Sequence, residues 1–319
     1  VYNTTFSICN ISFIYPENEP TLTDNQKEEI KQACQEVLGL KGKLNCKFNK
    51  SYLDENIIKN EGILTISDVE LKIWETYNHD SNIIDNSGTL IIEGATKLYS
   101  GKIGIYNKAN GNLTINNIEA DSQGEFVENY GTFALNGGKL KENINTGIKN
   151  YGTFTMEGGE FSDHLGCGLE NYNDAKINGG TLNAWYTAIR NYQGTTQVSK
   201  NAIITSATNS SSPTVENESN FNIYGGKVKG EIENRKSIVM GRGIVEGYIN
   251  NAEESKVWIY GGEITNKSGE AIENSGSITV GINDAKGQVN VSTPIICGST
   301  YGIYNYSSTA SIGFYDGII

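Results

Sequence analysis

The chain is poor in the residues that mark several common classes of protein. Its 319 residues include four prolines, two histidines and three arginines. There is no CxxC pair and no Cys/His cluster, so a zinc site is not indicated. The formal net charge of -12, without a long basic run, argues against a protein that binds nucleic acid. No apolar run has the length of a membrane span, so we expect no direct insertion into a membrane.

The patterns of common catalytic and ion-binding motifs are also missing. The sequence contains no GxSxG, no HExxH and no phosphate-binding loop. The EF-hand pattern and the calcium-binding nonapeptide repeat do not occur either. We therefore predict no catalytic residues, no metal site and no cofactor, and we favour a protein that is not an enzyme.

The cysteines are too few and too scattered to form a disulfide framework. The five are Cys9, Cys34, Cys46, Cys167 and Cys297. The first three lie close enough in the sequence for one bridge, so that pairing stays open. We favour free thiols that pack as small apolar side chains.

Glycine is abundant, at 37 residues, and it belongs to a phrase that recurs along the chain. NYGTFALNGGKL begins at Asn129, NYGTFTMEGGEF at Asn150 and NYNDAKINGGTL at Asn171. Repetition at a period of about 20 residues is typical of solenoid proteins. With this Asn as the anchor, the copies are marked by Asn60, Asn86, Asn107, Asn129, Asn150, Asn171, Asn191, Asn217, Asn234, Asn251, Asn274 and Asn305.

The residues around each anchor predict short strands separated by sharp turns. The residue two before the anchor is always aliphatic, although the alignment rests on the Asn alone. After the anchor, apolar and polar residues alternate, which indicates a strand with one buried face. A Gly pair then supplies positive φ for a turn, and a second short strand follows. The aliphatic residues are Ile58, Ile84, Ile105, Val127, Ile148, Leu169, Ile189, Val215, Ile232, Ile249, Ile272 and Ile303.

Three short strands per repeat predict an all-β fold, a right-handed single-stranded parallel β-helix of about twelve rungs over residues 55–319. The aliphatic column should fill the interior. The Asn column should lie inward at a bend, with its amides hydrogen-bonded from rung to rung. Tyr residues one position after the anchors should stack. Glu128, Lys149, Glu170 and Arg190 alternate in charge, which predicts pairs across neighbouring strands.

The first 54 residues do not repeat, and we expect them to form an N-terminal cap. Residues 23–38 have the apolar spacing of an amphipathic helix, and Thr23 with Gln26 forms a capping-box pattern. A cap would cover the open edge of the first rung, and a separate partner-binding helix is the alternative. Ile319 falls inside a repeat-like phrase, so we expect the chain to be part of a longer protein.

The repeat phrase, N-x-G-T-F-x-[LM]-x-G-G-x-[LF], and GIYN at Gly302–Asn305 resemble a known superfamily, the pectin-lyase-like right-handed parallel β-helices. They are most similar to the Asn- and Gly-rich repeats of large bacterial surface adhesins. The resemblance covers about residues 55–319. It implies an extracellular protein attached to a cell surface by a segment outside this sequence. Because the superfamily includes lyases, hydrolases, adhesins and phage tailspikes, it does not by itself assign an activity.

An acidic column is the candidate site for an enzyme. The resemblance implies acidic clusters on one outer face where the superfamily cleaves polysaccharides. Asp121, Glu142 and Asp163 stand eight residues before successive anchors, a spacing that would let stacked carboxylates bind Ca²⁺ or act as an acid–base pair. No Arg shares this column, and it falls in the loosest part of each repeat. We therefore favour solvated side chains, and keep a polysaccharide lyase or hydrolase as the alternative function.

An aromatic stripe is the candidate binding site. We expect the residue before each Gly pair to point outward. It is polar in early repeats and becomes Tyr224, Met240, Tyr260 and Val280 in later ones, and Trp258 should share that face. Such a stripe would bind a protein or a glycan on another surface, although stacking within the sheet is a plainer interpretation. Trp185 is a second exposed-aromatic candidate. The sequence thus favours an adhesin or stalk, with self-association through the β-helix ends as a further alternative.

Overall fold

A computed structural model describes residues 7–14, 23–37, 42–49, 58–68, 70–72, 82–100, 103–122, 124–141, 145–164, 166–207, 212–282 and 294–319. The chain forms two compact units, residues 1–154 and 155–319. Within the described ranges, the secondary structure is short β-strands and one α-helix.

The first unit contains the helix and the first fifteen strands. They are β1 (Ser7–Ile14), α1 (Asp24–Val37), β2 (Gly42–Asn49), β3 (Ile58–Asn60), β4 (Ile63–Ser67), β5 (Glu70–Lys72), β6 (Asn82–Asn86), β7 (Thr89–Glu93), β8 (Lys97–Ser100), β9 (Ile103–Asn107), β10 (Asn112–Ile115), β11 (Glu119–Ser122), β12 (Glu125–Asn129), β13 (Thr132–Leu135), β14 (Lys139–Lys141) and β15 (Thr146–Asn150).

The next strand, β16 (Thr153–Met156), includes the division between the units, and the second unit contains the rest. They are β17 (Glu160–His164), β18 (Cys167–Asn171), β19 (Asp174–Ile177), β20 (Thr181–Ala184), β21 (Thr187–Asn191), β22 (Thr195–Val198), β23 (Ile203–Ser206), β24 (Val215–Asn217), β25 (Asn220–Lys229), β26 (Ile232–Asn234), β27 (Ser237–Glu246), β28 (Ile249–Asn251), β29 (Lys256–Ile259), β30 (Glu263–Asn266), β31 (Ile272–Asn274), β32 (Ser277–Val280), β33 (Ile295–Gly298), β34 (Ile303–Asn305) and β35 (Ser311–Phe314).

Equivalent strands of successive repeats pair in parallel, which confirms the predicted β-helix of stacked coils. In the first unit, β3, β6, β9, β12 and β15 form one such row. In the second, β18, β21, β24, β26, β28, β31 and β34 form another. The strands after each turn stack in the same way, as β10 does on β7 and β29 on β27.

The aliphatic column lies in the interior, as predicted. Leu169 is opposite Ile189, and Ile189 opposite Val215. The column is buried from Ile58 to Ile272, and Ile303 is half-buried. Each buried aliphatic side chain contributes about 1.5–3 kcal/mol relative to exposure. This column therefore contributes substantially to the free energy that stabilises the stacked coils.

The anchor asparagines form a ladder of side-chain amides, which also confirms the prediction. Each Nδ2 donates to the Oδ1 of the next anchor, at 2.7 Å from Asn60 to Asn86 and at 2.8 Å from Asn234 to Asn251. The same bond joins the anchors from Asn60 to Asn150 in the first unit and from Asn171 to Asn305 in the second. We call these residues the asparagine ladder.

The ladder also satisfies backbone groups at the bend. The Oδ1 of Asn217 accepts from the Ser219 N–H at 3.2 Å, so the side chain closes its own turn. The Nδ2 of Asn217 donates in addition to the Ser237 carbonyl, 2.9 Å away on the next coil. Buried polar groups cost free energy unless they are hydrogen-bonded. A single Asn per coil therefore supplies both the turn and its attachment to the next coil.

The N-terminal residues add strands at one edge of the first coil. β1 pairs antiparallel with β3, and β2 pairs parallel with β1. The helix runs over Asp24–Val37 rather than 23–38, and its capping box forms, because the Gln26 side chain accepts from the Thr23 N–H at 2.9 Å. The predicted boundary between residues 54 and 55 lies outside the described residues, so the extent of the cap stays a prediction.

The predicted surface columns form in part. Tyr130 stacks on Tyr151 with ring centroids 4.7 Å apart, and Tyr172 on Tyr192 at 4.9 Å. In the second unit the alternating charges meet, with Arg190 and Glu170 at 3.7 Å. In the first unit Glu128 accepts a hydrogen bond from the Tyr130 hydroxyl at 2.8 Å. The neighbouring Lys149 pairs with Glu125 at 2.6 Å.

Replacing Asn234 by Ala tests the asparagine ladder. The change removes four hydrogen bonds of the Asn234 side chain, which accepts from the Asn217 Nδ2 and the Lys236 N–H and donates to the Asn251 Oδ1 and the Lys256 carbonyl. Each hydrogen bond contributes about 0.5–1.5 kcal/mol, so we expect the free energy of unfolding to fall by about 2–4 kcal/mol. Guanidinium denaturation followed by far-UV circular dichroism measures it. Asn305→Ala, at an exposed rung, is the matched control and should cost less than about 1 kcal/mol; equal losses would contradict a structural role for the buried amides.

Candidate functional site

The outer face of β25, β27 and β29 carries the predicted aromatic residues. In β25, Phe221 and Ile223 are buried in the core, so alternation turns Asn222 and Tyr224 outward. Parallel register aligns Asn222 with Val239, and Val239 with Trp258. Trp258 is half-buried, and Tyr224 is 43% exposed. Three coils thus place Tyr224 and Trp258 on one face, as predicted.

Met240 is a correction to the predicted stripe. It is fully buried at 0% exposure, and its register partners are the core residues Ile223 and Ile259. Gly241-Arg242-Gly243 stands where the neighbouring coil has Tyr224-Gly225-Gly226, because Met240 aligns with Ile223, and the register between β25 and β27 shifts only after this pair. Counting back from the first glycine therefore selects an inward position. Val280, aligned with Ile259, is buried for the same reason.

The aromatic residues open onto a groove. Its lining consists of Thr195, Asn220, Asn222, Tyr224, Lys236, Ser237, Val239, Glu254, Lys256 and Trp258, around a volume of about 550 Å³. We call it the Trp258 groove. Tyr260 is 41% exposed but does not line it. The structure thus brings Tyr224 and Trp258 into one concave site and leaves Met240 and Tyr260 outside.

The asparagine ladder holds the strands that form this groove. From the interior, the Nδ2 of Asn191 donates to the Asn220 carbonyl at 2.9 Å. The Nδ2 of Asn234 likewise donates to the Lys256 carbonyl at 3.2 Å. Both acceptors belong to residues that line the Trp258 groove. Side chains on hydrogen-bonded strands are held more precisely than side chains on loops, so the groove is a rigid surface.

Some polar side chains in and beside the groove are paired, and in the groove the Ser237 hydroxyl donates to the Asn220 Oδ1 at 2.7 Å. Arg235 contacts Glu218 at 3.0 Å and Glu233 at 2.8 Å, and Lys227 contacts Glu246 at 2.6 Å. By contrast, four side chains of the groove make no hydrogen bond or ion pair within the described ranges. They belong to Asn222, Lys236, Glu254 and Lys256. The groove therefore offers an amide, two ammonium groups and a carboxylate to a ligand.

Sequence reasoning did not find the polar part of the site. Lys236 and Glu254 lie in turns, while Val239 precedes Trp258 by one coil and Asn222 by two. Stepping back from Trp258 by the repeat would have found Val239 and Asn222, because equivalent positions stack. The turn residues cannot be found from the repeat in this way, because the direction of their side chains depends on the local backbone conformation.

The acidic column is only partly within the described residues. Asp121 lies in β11, in register with Tyr99 and Lys141. Glu142 and the side chain of Asp163 fall outside the described residues, so the predicted acid–base pair stays a prediction.

Where side chains are described, no group of three or more His, Cys, Asp or Glu residues is arranged to hold a metal ion. Within the described residues, the one helix, α1, is not long and apolar enough to cross a membrane.

Ionisable groups elsewhere in the second unit have shifted pKa values with structural causes. Burial raises the pKa of the Cys167 thiol to about 12, and nearby Glu170 adds to the shift. At neutral pH this thiol is almost entirely protonated, so it is a poor nucleophile. Burial also raises the pKa of Glu273, with Glu270 and Glu231 as lesser causes. These groups lie outside the Trp258 groove and do not line it.

Comparison with known proteins adds no relatives. No protein-family model matches the sequence, no curated protein is detectably similar to it, and no solved structure matches the fold at a significant level. The parallel β-helix therefore stands on the strand register alone. The resemblance to the pectin-lyase-like superfamily and to surface adhesins stays a prediction from the repeat phrases.

Replacing Met240 by Ala tests the corrected direction of its side chain. The change leaves a cavity between Ile223 and Ile259, and deletions of this size cost about 2–5 kcal/mol. Tyr260→Ala, at the neighbouring exposed position, should change the free energy of unfolding by less than about 1 kcal/mol. Guanidinium denaturation of both variants measures the difference. A Met240 variant as stable as the unmodified protein would mean that the side chain faces solvent.

Proposed function

We propose that the protein is a non-enzymatic binding protein of the adhesin or stalk type, and that it holds its partner in the Trp258 groove. The observation that carries the proposal is the set of side chains that the groove brings together. The exposed Tyr224 and the half-buried Trp258 stand beside Asn222, Lys236, Glu254 and Lys256, whose side chains have no partner within the described residues. A surface that leaves such groups unpaired is suited to pairing with another molecule.

Binding is favoured over cleavage by the ionisable groups of the groove. Glycosidases place two carboxyl groups on either side of the bond that they break. The lining of the Trp258 groove contains a single carboxylate, Glu254, beside two lysines. A single carboxylate beside ammonium groups lacks the paired carboxyl groups of those enzymes, although it can orient a ligand through hydrogen bonds.

The fold suits a protein that presents a fixed surface. Each coil repeats the same buried aliphatic residue and the same ladder amide, so the scaffold is stiff and the outer positions are free to vary. We propose that the protein works outside the cell, attached to a surface by a segment beyond this sequence. The support for this location is the resemblance of the repeat phrases to those of surface adhesins.

A pair of tryptophan variants tests the groove as the binding site. Trp258→Ser should lower binding at least tenfold, because it removes the largest apolar side chain of the lining. Trp185→Ser, which changes a tryptophan that is 50% exposed in a turn of the same unit, is the matched control. Fluorescently labelled protein is applied to a printed glycan array and to immobilised extracellular-matrix proteins. Far-UV circular dichroism confirms that both variants fold.

Each outcome of this experiment supports or rejects a different binding site. Loss of binding in the Trp258 variant alone supports the groove. Loss in the Trp185 variant alone moves the site to that turn, and no binding by the unmodified protein on any surface rejects the proposal. Products released from the bound polysaccharides would instead favour the enzyme alternative.

A further inference from the structure

We infer that the ligand of the Trp258 groove is a glycan chain with acidic groups. A sugar ring would lie against Trp258, and its carboxylate or sulfate would be held by Lys236 and Lys256. This inference rests on the proposed function, because it assigns a ligand class to the groove that the proposed function identifies as the binding site.

The mixture of side chains favours a sugar. Three of the lining residues, Tyr224, Val239 and Trp258, are apolar or aromatic, and the others are charged, amide or hydroxyl residues. A pyranose ring has one face of C–H bonds and a rim of hydroxyl groups. A broad aromatic side chain beside amides and hydroxyls therefore matches both parts of the ring. The Asn222 amide makes no hydrogen bond in the described part of the chain and is available to that rim.

A folded protein is a poorer match to the same surface. A stable protein interface covers about 800 Å² on each partner and has an apolar core. The Trp258 groove offers three apolar or aromatic side chains, and they are interrupted by polar ones within each coil. Its concave form and scattered polar groups suit a narrow chain with hydroxyl groups at regular intervals.

Two lysines on adjacent coils favour an acidic ligand. Lys236 and Lys256 are joined through their backbones, since the Lys256 N–H donates to the Lys236 carbonyl at 2.9 Å. Neither ammonium group has an ion-pair partner within the described residues, whereas nearby Arg235 and Lys227 are both paired. Ammonium groups form strong charge-assisted hydrogen bonds with carboxylates and sulfates. The groove is thus locally cationic on a protein whose net charge is -12.

Glu254 determines which way round an acidic glycan would lie in the groove. It is the one carboxylate of the lining, and it lies in the turn that precedes β29. A carboxylate accepts hydrogen bonds from sugar hydroxyls and repels an acidic group placed beside it. The acidic group of the ligand is therefore expected on the side of the two ammonium groups, with a hydroxyl rim toward Glu254.

The inference is tested with the whole 319-residue chain and two matched ligands. Hyaluronan hexasaccharide carries carboxylates, and its carboxyl-reduced form has the same rings without the charge. A glycan array of sulfated, carboxylated and neutral chains is probed alongside. We expect acidic glycans to bind at least tenfold more tightly than neutral ones, with an affinity that falls as salt rises from 50 to 500 mM.

Charge-removing variants assign the effect to the groove. The double variant Lys236→Gln/Lys256→Gln should lose at least tenfold in affinity for the acidic glycan, and most of its salt dependence. Lys227→Gln is the matched control, because Lys227 is already paired with Glu246 outside the groove, and it should bind like the unmodified protein.

Each contrary result would overturn a different part of the two proposals. Equal binding of neutral and acidic glycans that is lost in Trp258→Ser but kept in the double lysine variant would overturn the acidic ligand and leave the groove standing. Binding to matrix proteins alone, again lost in Trp258→Ser, would overturn the glycan and keep the proposed function. Glycan binding unaffected by any of these groove variants would overturn both.

Discussion

The structure depends on one hydrogen bond that is repeated from coil to coil, the bond between the side-chain amides of successive anchor asparagines. An amide donates and accepts at the same time, so each Asn can bond to the coil before it and to the coil after it. The buried aliphatic column supplies more free energy, but apolar contact is not directional. The asparagine ladder is directional, and a coil that slipped by one residue would lose it. Register is therefore set by the amides, and stability mainly by the aliphatic residues.

The asparagine ladder also determines where side chains lie on the outer surface. Because the ladder amides also bond to the carbonyls of Asn220, Ser237 and Lys256, the three strands beneath the Trp258 groove begin at fixed positions. Outer side chains then occur in columns one strand spacing apart, about 4.8 Å. Some of these columns pair among themselves, as Asn178 does with Glu157 at 2.6 Å and Arg235 with its two glutamates. In the groove the pairing is partial, because Ser237 donates to the Asn220 side chain at 2.7 Å whereas the Asn222 and Lys256 side chains have no partner within the described residues.

A scaffold of this kind separates folding from recognition. The inward positions are restricted to a few residue types, whereas outward positions tolerate almost any side chain that fits the pleat. The polar outer face of early repeats and the aromatic face of later ones share the same interior. A binding surface of the kind that we propose can thus form without any change to the core.

The sequence by itself determined the architecture, the inward Asn and aliphatic columns and the stacked tyrosines, because equivalent residues stack and a repeated pattern reveals a repeated environment. It also placed Tyr224 and Trp258 on one face. Only the tertiary structure decided that Met240 is buried, since it aligns with the core residues Ile223 and Ile259 and Gly241 takes the outward position of Tyr224. It alone brought Lys236, Glu254 and Lys256 beside Trp258. Turn residues from different coils meet through the path of the backbone, and that path leaves no periodic signal in the sequence.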